Sequence, residues 1–217
     1  MQEYNEEATQ KLKELLFCNN MIASNQSFHF NNLFKQILQK IDEGANPNIK
    51  GNVSPLWFFT IQQRDLVNAE TVLEKGANPN QEPSMFADLL TLEQAQLFKA
   101  HGATFNSEKN LLIAVATHPK YDSKLIPFYI SQRVDIKNRL EDLDGDTMLH
   151  RLARNLVSDS IDYQLDARKK LHELRQALLN NVDLQTDIES ALQLKNAAEN
   201  TPLDIAPKLK KHLDCNK

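Results

Sequence analysis

A chain of 217 residues and 24.8 kDa is long enough for one or two compact domains, or for a stack of short units that share a core. Its 41% hydrophobic and 25% charged content excludes a wholly disordered chain. A net charge of −4 with a pI near 5.9 gives no overall positive field for nucleic acid or anionic lipid, and no stretch approaches the about 18 apolar residues of a membrane span.

Along the chain, Tyr4, Ala8, Leu12, Leu15 and Leu16 share one helical face and predict a helical N-terminal cap over residues 1–30. Met1 to Thr9 holds three glutamates and no basic residue, so no cleaved secretion signal is expected and the location is read as cytoplasmic. The two cysteines, Cys18 and Cys215, stand near opposite ends, which fits a reducing compartment better than a disulfide framework. Cys18, beside Phe17, reads as a small apolar cap residue rather than a nucleophile.

Leu33, Phe34, Ile37, Leu38 and Ile41 form the next helical stripe, which ends at Gly44-Ala45-Asn46-Pro47-Asn48. The same five residues recur as Gly76 to Asn80, and His101-Gly102-Ala103 ends a third stripe. Glycine suits these ends because the residue after a helix commonly turns left-handed, and Pro47 and Pro79 keep the helix from resuming. Helix starts are marked by a hydroxyl at the cap and proline next, in Ser54-Pro55-Leu56 and Thr201-Pro202-Leu203; Thr147-Met148-Leu149 is the same start without the proline. Thr91 with Gln94 forms a capping box, and Asp65 and either Asp122 or Ser123 are further candidate caps. At least two of Trp57, Phe58 and Phe59 are expected in the core, with one free to anchor a partner. Leu171, Leu174 and Leu178 predict a long outer helix, Val157 to Lys170 is an insertion that is either a long loop or an extension of that helix, and 207–217 predicts a lysine-rich C-terminal cap.

Gly145-Asp-Thr-Met-Leu-His150 and Asn200-Thr-Pro-Leu-Asp-Ile-Ala206, with the Gly-Ala-Asn-Pro-Asn endings, resemble the Thr-Pro-Leu-His-x-Ala signature of ankyrin repeats. That resemblance implies an all-α, single-domain solenoid of paired antiparallel helices with β-turn fingers, about five irregular units over residues 31–206. Pro83-Ser-Met-Phe86 and Asn110-Leu-Leu-Ile113 depart from the signature, and the glycine expected near Arg133 is missing. The irregular, Asn- and Lys-rich repeats are similar to ankyrin proteins that intracellular bacteria secrete into host cells, which implies an effector delivered without a cleaved signal.

Asp142-Leu-Asp144-Gly145-Asp146 opens like a calcium loop, but Thr147 and Ala153 stand where the glycine and the closing glutamate belong. None of the six histidines pairs with another at metal-ligand spacing, and no phosphate loop or nucleophile elbow is present, so neither a metal nor a cofactor is expected. His150 reads as a bond between neighbouring turns.

The expected function is therefore a non-enzymatic protein-interaction module, monomeric alone. Carried over from the family, its partner surface comprises Asn48, Lys50, Asn52, Ile61, Gln62, Asp144, Asp146, Arg154 and Asn155, to which Trp57 is added as an aromatic anchor. The alternative is an enzyme with an active site near 157–170 or in the N-terminal cap.

Overall fold

A computed structural model describes residues 3–20, 27–49, 53–107, 111–139, 144–179 and 181–214, and the described chain is helical with no strand. Among the described residues no helix is long and apolar enough to cross a membrane. The chain divides into two compact units, residues 1–85 with 97–103, and residues 86–96 with 104–217.

In the first unit, α1 (Glu6–Asn20) packs on α2 (Ser27–Asp42) through Ala8, Leu12 and Leu16, all buried, against Leu33, Ile37 and Ile41. Ser54 caps the short α3 (Pro55–Trp57) by accepting from the Trp57 N–H. The helix then widens into a π-helical turn over Phe58–Gln63, which closes on Arg64 in the left-handed conformation. Widening reduces the angle between consecutive side chains, and Phe58 and Phe59 are both fully buried, edge-on to each other and to Phe34. Two of the three aromatics are thus core, as the sequence predicted. Asp65 caps α4 (Leu66–Glu74) through the Asn68 N–H, and α4 ends at Gly76 with φ +93°.

The segment that lacks the starting signature, Pro83–Asp88, forms only a 3₁₀ turn. The Thr91–Gln94 capping box then starts α5 (Leu92–Ala100) as predicted, with each side chain bonded to the other's backbone N–H.

In the second unit, α6 (Leu111–Thr117) packs on α7 (Leu125–Ser131) and on α8 (Met148–Leu156). α7 starts one step later than the sequence implied: Asp122 accepts from the Lys124 N–H and closes the preceding turn instead of capping the helix directly. Where α7 ends without a glycine, Arg133 itself takes φ +62°. A left-handed side-chain-bearing residue costs about 1–2 kcal/mol, which the surrounding turn supplies.

The insertion proves to be helix. After a four-residue connection, α9 (Ile161–Leu178) runs 18 residues and buries Ala167, Leu171, Leu174 and Leu178 against α8 and α7. Lys170 is fully buried on the same face, its ammonium donating to the His118 carbonyl at 2.7 Å and to Asp166 at 2.5 Å. Burial lowers the Lys170 pKa, and the Asp166 carboxylate partly offsets it. A helix that the sequence reading did not foresee, α10 (Val182–Ala191), follows; Asn181 caps it, and Leu184, Ile188 and Ala191 bury at helical spacing. Last come α11 (Pro202–Ile205), capped by Thr201, and α12 (Leu209–Leu213), whose Leu209 and Leu213 are buried where α12 meets α9 and α11.

Candidate interaction site

The turns that follow the helix-ending glycines are tied to one another by asparagine. In the first unit, the Gly44 carbonyl accepts from the Asn5 N–H, the Gly76 carbonyl from the Asn48 amide, and the Gly102 carbonyl from the Asn80 amide, each at 2.9 Å. The Asn48 carbonyl oxygen Oδ1 takes the Asn78 N–H at 2.6 Å, and Thr9 Oγ1 takes the Asn46 N–H in the same way. Orphan carbonyls at the ends of helices need partners, and here one residue type in the turn before supplies them. Asn48 was expected to face a partner protein. Its amide is instead committed at both ends to the next turn, so it works as a connector.

Trp57, Ile61 and Gln62 are half-exposed and lie on α3 and the π turn that continues it. They remain open to a partner, on a segment held by the buried Phe58 and Phe59 beneath. Lys50 and Asn52 lie outside the described residues, as do Cys215 and Asp142.

In the second unit the predicted residues converge on Asp146, which sits in the connection into α8 and is fully buried. Asp144 and Gly145 take consecutive left-handed conformations, φ +58° and +66°, which aspartate and glycine tolerate better than most residues. The chain then turns inward. Asp146 Oδ2 accepts from Arg154 Nε at 2.8 Å, Oδ1 from the Asn196 amide at 2.8 Å, and Arg151 Nε stands 3.2 Å from Oδ2. Burial works against the Asp146 carboxylate, but the hydrogen bonds from Arg154 and Asn196 and the two guanidinium charges outweigh it and hold its pKa below the ordinary value. Asp146 was expected on the partner surface; burial behind Arg154 makes it the anchor of that surface instead. Arg154 keeps 40% of its side chain exposed. Asp144 is exposed, while its carbonyl accepts from the Ala197 N–H. Asn155 is half-exposed and donates to the Ala116 carbonyl at 2.8 Å, a second connector.

His150 links two turns as the sequence predicted. Its Nδ1 accepts from the Thr147 N–H at 3.1 Å, which requires the proton on Nε2, and Nε2 then donates to the Asn200 carbonyl at 2.9 Å. Burial lowers the His150 pKa from 6.5, and the Asn200 carbonyl opposes that only in part. Protonation would put a second N–H against the Thr147 N–H. The unfolded chain therefore takes up the proton first as pH falls, and the stability that neutral His150 contributes is complete above about pH 6.5 and is lost as pH falls toward its lower folded value. His212, also lowered by burial, adds in the same direction. Denaturant unfolding from pH 7.5 to 5 is expected to show falling stability, with a shallower slope in H150Q; an unchanged slope in that variant would mean that His150 is not the titrating group.

Among the described residues, no three His, Cys, Asp or Glu side chains stand together as a metal site. Two exposed aliphatic side chains that the sequence did not single out, Ile161 and Leu165, lie on one side of the first turns of α9. Comparison of the chain with protein-family models, with curated proteins and with solved structures gives no match.

Proposed function

We propose that the chain is an irregular ankyrin-like solenoid that binds a partner protein through a rigid, pre-ordered surface. The observation that carries this reading is an asparagine tie that recurs in the two repeated turns: the Asn48 side-chain amide donates to the Gly76 carbonyl and the Asn80 side-chain amide to the Gly102 carbonyl, each time to the next helix-ending glycine. A one-dimensional stack of like units is the economical source of such a recurrence, and stacks of this kind expose long ordered surfaces. The buried ionisable groups agree with it. Asp146, His150 and Lys170 are each occupied in joining one element to another. The half-exposed Trp57, Ile61 and Gln62 in the first unit and, in the second, Arg154, which is bonded to Asp146 yet keeps 40% of its side chain exposed, are the contacts of choice, and a surface that need not fold on contact binds at lower entropic cost.

The test is affinity capture from cytosol with the full chain and with W57A and Q62A, whose melting temperatures are followed in parallel. A partner retained by the wild type and reduced at least about tenfold by one variant, at unchanged melting, supports the reading. Capture of nothing, together with turnover in a substrate screen, overturns it in favour of an enzyme.

A further inference from the structure

The widened turn of the first unit decides which side chains share a face. Successive residues of an α-helix are about 100° apart around the axis, and those of a π turn about 82°. Counted from Trp57, α-helical spacing would put Gln62 about 140° away, between Phe58 and Phe59 and into the core. Over the π turn Phe58–Gln63 it stands about 50° away instead, with Ile61 about 30° to the other side. Burial follows that geometry. Phe58, Phe59 and Thr60 are fully buried, whereas Trp57, Ile61 and Gln62 are half-exposed on the opposite side. The face is also held still: Ser54 caps its start, Phe58 and Phe59 lie edge-on to Phe34 beneath it, and the Phe59 carbonyl accepts from the N–H groups of Arg64 and Asp65 at its end.

What the face offers is selective. From Val53 to Gln63 the chain carries no charge, and Arg64, the next charged residue, leaves the helix in the left-handed conformation. Trp57 and Ile61 call for an apolar side chain. Gln62 calls for more, because an amide covered by a partner must find both a donor and an acceptor in exchange for its water. A peptide group supplies both, provided that it is not already paired within a helix. We infer that this face holds an extended, uncharged segment of a partner protein, with an apolar side chain against Trp57 and Ile61 and a backbone amide group against Gln62. Such an occupant rests on the interaction reading above and gives it a conformation and a chemistry. Others fit less well. A partner helix has its backbone N–H and C=O groups spent internally, lipid tails offer no hydrogen bond, and a phosphate backbone finds no cation between Val53 and Gln63.

The test selects short random peptides, displayed on phage, against the full chain and measures synthetic copies by fluorescence anisotropy. The expected sequences share a large apolar residue and no charge, bind the wild type, and are weakened about tenfold in W57A and in Q62A. Each backbone N–H of the best peptide is then removed in turn by N-methylation. One position is expected to lose about tenfold against the wild type and nothing further against Q62A, the coupling that a shared hydrogen bond produces. Q62A shortens a half-exposed polar side chain and is expected to melt with the wild type, so its loss reads the contact alone. Absence of any selected peptide, a requirement for charge, full affinity in Q62A, no N-methyl position coupled to Gln62, or a helical bound peptide overturns the inference. In the capture experiment, a protein lost by W57A while no peptide is selected defeats the extended segment and leaves the module reading standing; capture of nothing, together with turnover, defeats both.

Discussion

Replacing Asp146 by alanine is expected to cost about 3 kcal/mol, whereas R154A should cost about 1. The asymmetry follows from where each partner sits. Asp146 is fully enclosed and is the shared acceptor for Arg154, Arg151 and the buried Asn196 amide, so its loss leaves two guanidinium groups close together and an interior amide without its acceptor. Arg154, by contrast, is 40% exposed; without it, Asp146 keeps Arg151 and Asn196, and a surface-facing pair contributes little. For a chain of this size, 3 kcal/mol corresponds to a fall of roughly 6–12 °C in Tm. Thermal unfolding of the two variants checks it. Equal losses would show that the Asp146–Arg154 pair alone carries the effect and that Arg151 and Asn196 add nothing to it. The same asymmetry makes R154A usable as a binding probe and D146A unusable, because only the second dismantles the turn that carries the surface.

Features that depend on neighbours in sequence were legible, and features that depend on neighbours in space were not. Ser54, Asp65, Thr201 and the Thr91–Gln94 box cap helices as read, because a cap bonds within one turn of its own chain. Gly44, Gly76 and Gly102 take the positive φ their positions predicted. Arg133 shows the limit: the turn demands a left-handed residue there whether or not the sequence offers glycine. Asn48 and Asp146 were placed on the partner surface because the ankyrin resemblance puts partners against the fingers, yet the half-exposed Asn48 ties to the next turn and Asp146 is an interior anchor. The evidence for the first was already in the chain, since a word repeated intact places the same amide before the same glycine carbonyl twice. Nothing local marks Asp146, because its partners Arg151, Arg154 and Asn196 come from two separate stretches. The π turn at Phe58–Gln63 was equally hidden, since nothing in that segment's sequence distinguishes a widened turn from an ordinary helix.

F105A is expected to cost about 4 kcal/mol, and its consequence at a distance tests the continuous stack. Phe105 is 1% exposed and meets three rings, Phe86 at 4.7 Å, Tyr129 at 5.4 Å and Phe128 at 5.5 Å between centroids. Deleting a buried phenylalanine removes its transfer energy and leaves a cavity, typically about 3–5 kcal/mol, and lost ring pairs place this site in the upper part of that span. The residue belongs to the second compact unit, while Trp57, the single tryptophan of the chain, belongs to the first and is anchored beside the Phe34, Phe58 and Phe59 cluster. Trp57 fluorescence therefore reports the unfolding of the unit that the mutation does not touch. The proposed nearest-neighbour stack would pass stability lost in one repeat to the next, and on that proposal the fluorescence midpoint falls together with the helical signal in F105A. Two autonomous units would give a different result: helix content lost early, with the tryptophan transition unmoved. That outcome would replace the proposed solenoid with two independent helical domains, and the binding surface would then have to be sought in each alone.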